Sequence, residues 1–173
     1  MFKQLLFFFC LGLIVLGGYK LYLGLAPAET KVEWLIQSAA EAFNSMNKDE
    51  CLAAFSEDYR DTSQSTDYDD HTIDKKLLGK AMTYIFQNRV DQDTGAFMYK
   101  VEPVMPTMSV IVKSEIYALA RFRIELLLKM GHRWSAIWGA DVKVKFRNER
   151  GGWVIAESAL RTVMGHLPWE WED

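Results

Sequence analysis

Residues 140–155, ADVKVKFRNERGGWVI, decide the fold. Ala140, Val142, Val144 and Phe146 alternate with Asp141, Lys143, Lys145 and Arg147. That period of two sets one row of side chains against a core and the other in water, the pattern of a half-buried strand. Asn148-Glu149-Arg150-Gly151-Gly152 is turn chemistry, and Trp153 to about Met164 returns as the partner strand of a long hairpin. Upstream, Ile116 to Met130 carries Ala118, Ala120, Phe122, Ile124, Leu126 and Leu128 on one parity and Arg121, Arg123 and Glu125 on the other. Leucine propensity would allow a helix there, but the strict parity and the hairpin that follows predict a strand. Phe97 to Val104, broken by Pro103 and Pro106, is short and extended, and Met108 to Val112 is β-branched and apolar.

The first half reads differently. Thr30-Lys31-Val32-Glu33 has the form of a capping box, and Val32, Leu35, Ile36, Ala39, Ala40 and Phe43 follow at helical spacing, predicting a helix over 31–45. Asn47-Lys48-Asp49-Glu50 repeats the cap ahead of a second helix of about two turns containing Cys51, Leu52 and Phe55. Residues 56–71, SEDYRDTSQSTDYDDH, lack periodicity and predict a loop. A third helix runs from Thr72 or Asp74 to about Arg89 on Ile73, Leu77, Leu78, Ala81, Met82, Ile85 and Phe86. The expected class is α+β: three helices on one face of a curved antiparallel sheet of four to six strands.

The opening helix ending Ala42-Phe43-Asn44-Ser45, the stretch from Asp49 to Tyr59, the helix from Asp74 to Arg89 and the late Gly151-Gly152-Trp153-Val154-Ile155 hairpin together resemble the nuclear transport factor 2-like superfamily, which includes SnoaL-like and ketosteroid-isomerase-like domains. The resemblance spans residues 31–163 and lies in element order and weak patterns. It implies a cone, in which a bent sheet wraps the helices and leaves a pocket at the open end. It also implies a wide range of roles: isomerases, dehydratases, noncatalytic binders and membrane-tethered secretion components.

Ahead of this domain, Leu5 to Gly18 is uncharged, and continuing to Ala26 adds only Lys20. About 22 residues at 1.5 Å each suffice for a hydrocarbon core of about 30 Å, and Lys20 can snorkel to the headgroups beside Tyr19 and Tyr22. The division is therefore a transmembrane anchor or uncleaved signal over 1–28 and an α+β domain over 29–173, with the bilayer as a partner through residues 5–26. The competing reading is a signal peptide cleaved near Ala28, at Ala26-Pro27-Ala28, leaving a secreted domain. The bulky apolar run Tyr19 to Leu25 before that site favours the anchor, while a buried core helix is the bland alternative. Lys3 and the amino terminus face no acid before Glu29, which favours an exported carboxy-terminal domain, periplasmic or extracellular.

The chain of 173 residues carries 20 bases and 23 acids, net −3. Removing 1–28 takes Lys3 and Lys20 and no acid, so the domain holds 18 bases against 23 acids, net −5. This gives no electrostatic reason to expect nucleic acid. Cys51 is the sole cysteine of the domain, so no internal disulfide is available.

By the family resemblance, catalysis would use carboxylate, histidine or tyrosine groups inside the cone, a buried Asp or His as base and a Tyr donating to an oxyanion. The candidates are Tyr59, Asp61, His71 and Tyr84, none in a recognisable motif; Asp58, Asp61 and His71 read equally well as solvated. Asp67, Asp69, Asp70 and His71 lack the order and glycine of a calcium loop and the second Cys or His of a zinc site, so no metal and no cofactor is expected. Lys143, Lys145 and Arg147 opposite Arg121, Arg123 and Glu125 form either a phosphate patch or, as the blander reading, an outer face offset by Glu125, Asp141 and Glu157. No glycine-rich phosphate loop, G-x-S-x-G or H-E-x-x-H occurs. The leading expectation is a noncatalytic envelope domain that binds a protein partner or a small apolar ligand. The alternative is an isomerase- or dehydratase-like enzyme, and a homodimer through the outer sheet face is a third possibility. The tail Leu167-Pro168-Trp169-Glu170-Trp171 folds back over an apolar surface, docks on a partner, or stays unfolded. Deleting residues 167–173 lowers the melting temperature of the chain if the tail caps its own domain; an unchanged value refutes self-capping.

Overall fold

The computed structural model describes residues 25–63 and 73–166. Helix α1 spans Ala28–Asn44, α2 Lys48–Ala53 and α3 Lys75–Asn88; strands β1 to β5 span Phe55–Asp61, Tyr99–Ser114, Tyr117–Met130, Arg133–Glu149 and Gly152–Gly165. The five strands form one sheet in the order β1-β5-β4-β3-β2. Neighbours pair antiparallel from β2 to β5, whereas β1 lies parallel to β5. The architecture is α+β, with the helices packed on a curved sheet.

The inward parity is the expected one. Ala118, Ala120, Phe122 and Leu126 of β3 and Val142, Val144 and Phe146 of β4 are buried. They form the core with Val32 and Ile36 of α1, because apolar rows on strands and an apolar stripe on a helix leave water only by facing each other. Helix α1 runs along β2: Asn44 donates its side-chain amide to the Val101 carbonyl at 2.9 Å and accepts the Val101 N–H at 2.7 Å. At the other end of α1, Ala28 packs on the cluster that holds Ala118 and Phe146.

Four expectations need correction. The capping box at Thr30 does not form: α1 begins at Ala28 behind Pro27, with no side-chain cap, because proline presets the backbone angle of a helix start. The segment 56–71 is not all loop, since Phe55–Asp61 is a strand, and Phe55 belongs to it rather than to α2. Its register with β5 is irregular between Phe55 and Arg60, and its buried polar-flanked positions, Ser56 and Tyr59, stand three apart; no period of two survives to be read. The parallel β1–β5 pair makes the sheet mixed rather than antiparallel throughout. Phe97–Val104 and Met108–Val112 belong largely to one strand, β2. An edge strand tolerates prolines, and Thr107 bridges the register break by donating to the Val104 carbonyl at 2.7 Å and accepting the Arg123 N–H at 2.8 Å.

Asn47 and Asp74 do cap α2 and α3, accepting the N–H groups of Glu50 and Leu77. Among the described residues no helix is long and apolar enough to cross a membrane. Residues 5–24 of the expected span, the loop 64–72 and the tail 167–173 lie outside the described residues. Phe146 is completely excluded from solvent, so Phe146→Ala lowers unfolding free energy by about 3–5 kcal/mol in denaturant titration. A loss under 1 kcal/mol would mean that β4 does not carry the core.

Candidate functional site

The seam between β1 and β5 gathers two of the four expected site residues. A register irregularity between Lys145 and Phe146 on the β4–β5 ladder shifts the parity of β5, so that Ser158 faces inward after Trp153 and Ile155. The Tyr59 hydroxyl shares a 2.7 Å hydrogen bond with Ser158 Oγ, both side chains being buried. The Tyr59 ring meets Phe55 edge-on at 4.8 Å and lies in the core with Val32, Phe146 and Trp153. Burial pushes the phenol up to about 12; the Ser158 bond opposes this and the charge of Asp61 reinforces it. Tyr59 therefore keeps its proton at any physiological pH.

Asp61 closes the turn after β1. Its Oδ1 accepts the Ser63 N–H at 2.7 Å and the Ser63 hydroxyl at 2.5 Å. Ser63 Oγ in turn accepts the Leu160 N–H at 2.7 Å, and the Thr62 N–H and hydroxyl both donate to the Ser158 carbonyl, at 2.7 and 3.0 Å. The carboxylate thus holds the end of an edge strand on β5. Tyr84 stands on the outer side of α3, 51% exposed, where its carbonyl accepts the Asn88 amide. His71 lies outside the described residues, as do Asp67, Asp69 and Asp70. Among the described residues no group of three acidic, histidine or cysteine side chains could hold a metal.

A second polar cluster was not legible in the sequence. The Arg147 guanidinium on β4 reaches Glu149 Oε1 at 2.6 Å, Asp58 Oδ1 at 2.5 Å and the buried Ser56 hydroxyl at 2.8 Å. Ser56 also lies 2.5 Å from Asp58 and 2.8 Å from Glu149. Arg147, then Ser56, hold the Asp58 carboxyl down at about 2. Eighty-nine residues separate Asp58 and Arg147, so only the chain reversal that sets β1 beside β5 assembles this cluster. It ties the start of β1 to β4 from the solvent side, where ion pairs contribute at most modestly.

A second cluster inside the fold is built from the chain's own rings. Phe43 of α1, Phe86 of α3 and Phe97 pack with centroid separations of 5.2, 5.6 and 5.4 Å, and Phe97 meets Tyr99 at 6.1 Å. Leu126 and Trp138 join this cluster, the Trp138 indole N–H donating to Thr162 Oγ1 at 3.2 Å. This cluster is apolar apart from the Tyr99 hydroxyl and the Trp138 indole N–H.

No protein family and no curated protein matches the chain. Solved structures do. A nuclear transport factor 2-like protein with a cystatin-like fold from Novosphingobium aromaticivorans superposes with a TM-score of 0.62 at 12% identity, covering 79% of this chain and 82% of the other. A scytalone dehydratase-like protein from the same organism gives 0.59 at 15% identity, covering 80% and 87%. A ketosteroid isomerase-like protein from Erwinia carotovora atroseptica gives 0.54 at 16% identity, covering 78% and 95%. The chain has the nuclear transport factor 2-like cone fold that its sequence resembled, and at these identities the likeness is one of fold.

The seam has a pH signature. Cys51 is buried and its thiol is pushed up to about 11 by that burial. Because both folded-state values lie above those of the unfolded chain, the unfolded state loses protons first as pH rises. Stability should hold below pH 9 and fall between 9 and 12, through the Cys51 and then the Tyr59 window. Tyr59→Phe removes the later phase and costs about 1–2 kcal/mol at pH 7, and Ser158→Ala in the same chain recovers part of the loss. Denaturant titrations across this range check both; a flat alkaline profile would refute the assignment.

Proposed function

We propose that this chain is a membrane-tethered, noncatalytic domain of the envelope, held by residues 5–26 and binding a protein partner or a small apolar ligand outside the membrane. The observation that carries the noncatalytic part is the aromatic packing of Phe43, Phe86, Phe97, Tyr99 and Trp138 between the helices and the sheet. A substrate would have to displace side chains worth about 3–5 kcal/mol each in core stability. Tyr59 and Asp61 are both engaged in joining β1 to β5.

Topology supports a division between a tethered and a presenting end. Helix α1 begins at Ala28, beside the end of the sheet that carries the β2–β3 and β4–β5 turns; the Asn148 N–H donates to the Ile116 carbonyl and ties the two turns together. The β3–β4 turn lies at the far end, about 40 Å away for strands of this length. There Met130 is 54% exposed and Trp134 42%, with Lys129 and Arg133 beside them. Exposed aromatic and thioether groups rimmed by charge suit a protein contact. The alternative, an isomerase- or dehydratase-like enzyme, is favoured by the likeness to a scytalone dehydratase-like and a ketosteroid isomerase-like protein and by the closeness of Tyr59 to Asp61.

Full-length protein should stay with the vesicles after a carbonate wash, and native mass spectrometry should find any copurifying ligand unchanged in mass. Release of the unclipped chain into the wash would sink the tether. Turnover of a copurified ligand that is lost in Tyr59→Phe and Asp61→Asn would decide for the enzyme.

A further inference from the structure

The outer face of the sheet is built in rows across three strands. In one row Leu119, Lys145 and Glu157 lie side by side, and Lys145 pairs with Glu157. In another, Arg123, Asp141 and Arg161 lie side by side, and Asp141 Oδ1 and Oδ2 take the two guanidiniums at 3.2 and 3.0 Å. Between them runs a row of Arg121, Lys143 and Ala159, with Ser109 of β2 opposite Arg121. Each neighbouring row contains an acid, Glu157 on β5 or Asp141 on β4, whereas this row contains none and carries a methyl group at its β5 position. Arg121 and Lys143, both exposed and directly opposed, have no carboxylate partner among the described residues. Like charges set opposite each other on one sheet face destabilise it. Four cations, Arg121, Arg123, Lys143 and Arg161, stand around one acid, Asp141, which pairs with Arg123 and Arg161, in residues 29–173 whose net charge is −5, so their grouping is not a consequence of overall composition. The small Ala159 side chain leaves room, and these residues line a hollow of about 450 Å³.

We propose that this hollow is an anion site for a phosphate group, with Arg121 and Lys143 as its two principal donors and Arg123 and Arg161 supplying the surrounding field. A guanidinium presents a planar fork to two phosphate oxygens and an ammonium supplies a compact charge to a third, which together suit a dianion better than a monovalent ion. Strand-borne donors lose less freedom on binding than loop-borne ones. The site does not depend on the tether or on the contents of the cone. The phosphate can arrive as a free or small-molecule phosphate or as the phosphomonoester headgroup of a lipid, and the dianion met by Arg121 and Lys143 is the same.

The experiment uses the full chain in uncharged maltoside micelles. Inorganic phosphate, added at constant ionic strength against chloride, should raise the melting temperature saturably, and Arg121→Ala or Lys143→Ala should weaken the apparent affinity by about tenfold or more. Ala159→Glu supplies the acid that the row lacks: it should raise the melting temperature without phosphate and abolish the further rise with it, a pair of opposite changes that misfolding cannot mimic. Short-chain phosphatidic acid added instead of phosphate identifies the source: saturation at lower concentration than phosphate, lost in Ala159→Glu, assigns a headgroup, and saturation only by free phosphate assigns a soluble ligand. Equal effects of phosphate and chloride, or an undiminished phosphate response in Ala159→Glu, would overturn the site.

Discussion

The burial of Phe146 and Val32, both wholly excluded from water, is the constraint on which the remaining structure depends. One belongs to the inward row of β4 and the other to the inward stripe of α1, and they share a core with Ala118, Ala120, Phe122 and Val144. Once those two surfaces are joined, every other side chain is placed by register. The outward rows must face water, the helices must lie across one face only, and the edges must be closed by β1 and β2. Small residues on β3, Ala118 and Ala120, let the helix approach the sheet closely at this end. The larger Phe97, Tyr99, Leu126 and Trp138 form a second cluster with Phe43 and Phe86 further along the same strands.

That same division of faces separates the two kinds of chemistry. Polar groups turned inward, Tyr59 and Ser158, are satisfied by each other and stay uncharged, as low-dielectric surroundings require. Charged groups turned outward are arranged by pairing across strands, and most balance: Lys145 with Glu157, Asp141 with Arg123 and Arg161, Arg147 with Glu149 and Asp58. The row of Arg121 and Lys143 departs from this economy, and a departure in an otherwise consistent pattern marks a place where function rather than folding has set the residues.

Much of the architecture could be read before any coordinates. Residues 117–130 and 140–147 alternate because one face is dry and the other wet, and that period survives in any sequence that must satisfy it. The cap at Asn47 was legible because a side-chain oxygen three residues ahead of a helical N–H is a local arrangement, while the sequence leaves open the choice between Thr72 and Asp74 as the start of α3. Strand β1 was not, since its buried positions are irregularly spaced and half its residues are charged. Of the candidate site, the nearness of Tyr59 to Asp61 follows from their place in sequence, but nothing near them announced Ser158, whose inward direction comes from a shift of register on β5.

By itself the sequence determined the periodicities, and through them the class of fold and the inward and outward rows. These are properties of neighbours a few residues apart, where backbone geometry alone relates one side chain to the next. Tertiary structure decided what lies across space: β1 parallel to β5, the 89-residue step from Asp58 to Arg147, the rings of Phe43, Phe86 and Phe97 brought together, and two cations without a carboxylate partner among the described residues between two rows that each contain an acid. Those depend on register between strands distant in the chain, and register is set by how a whole core packs rather than by any local pattern.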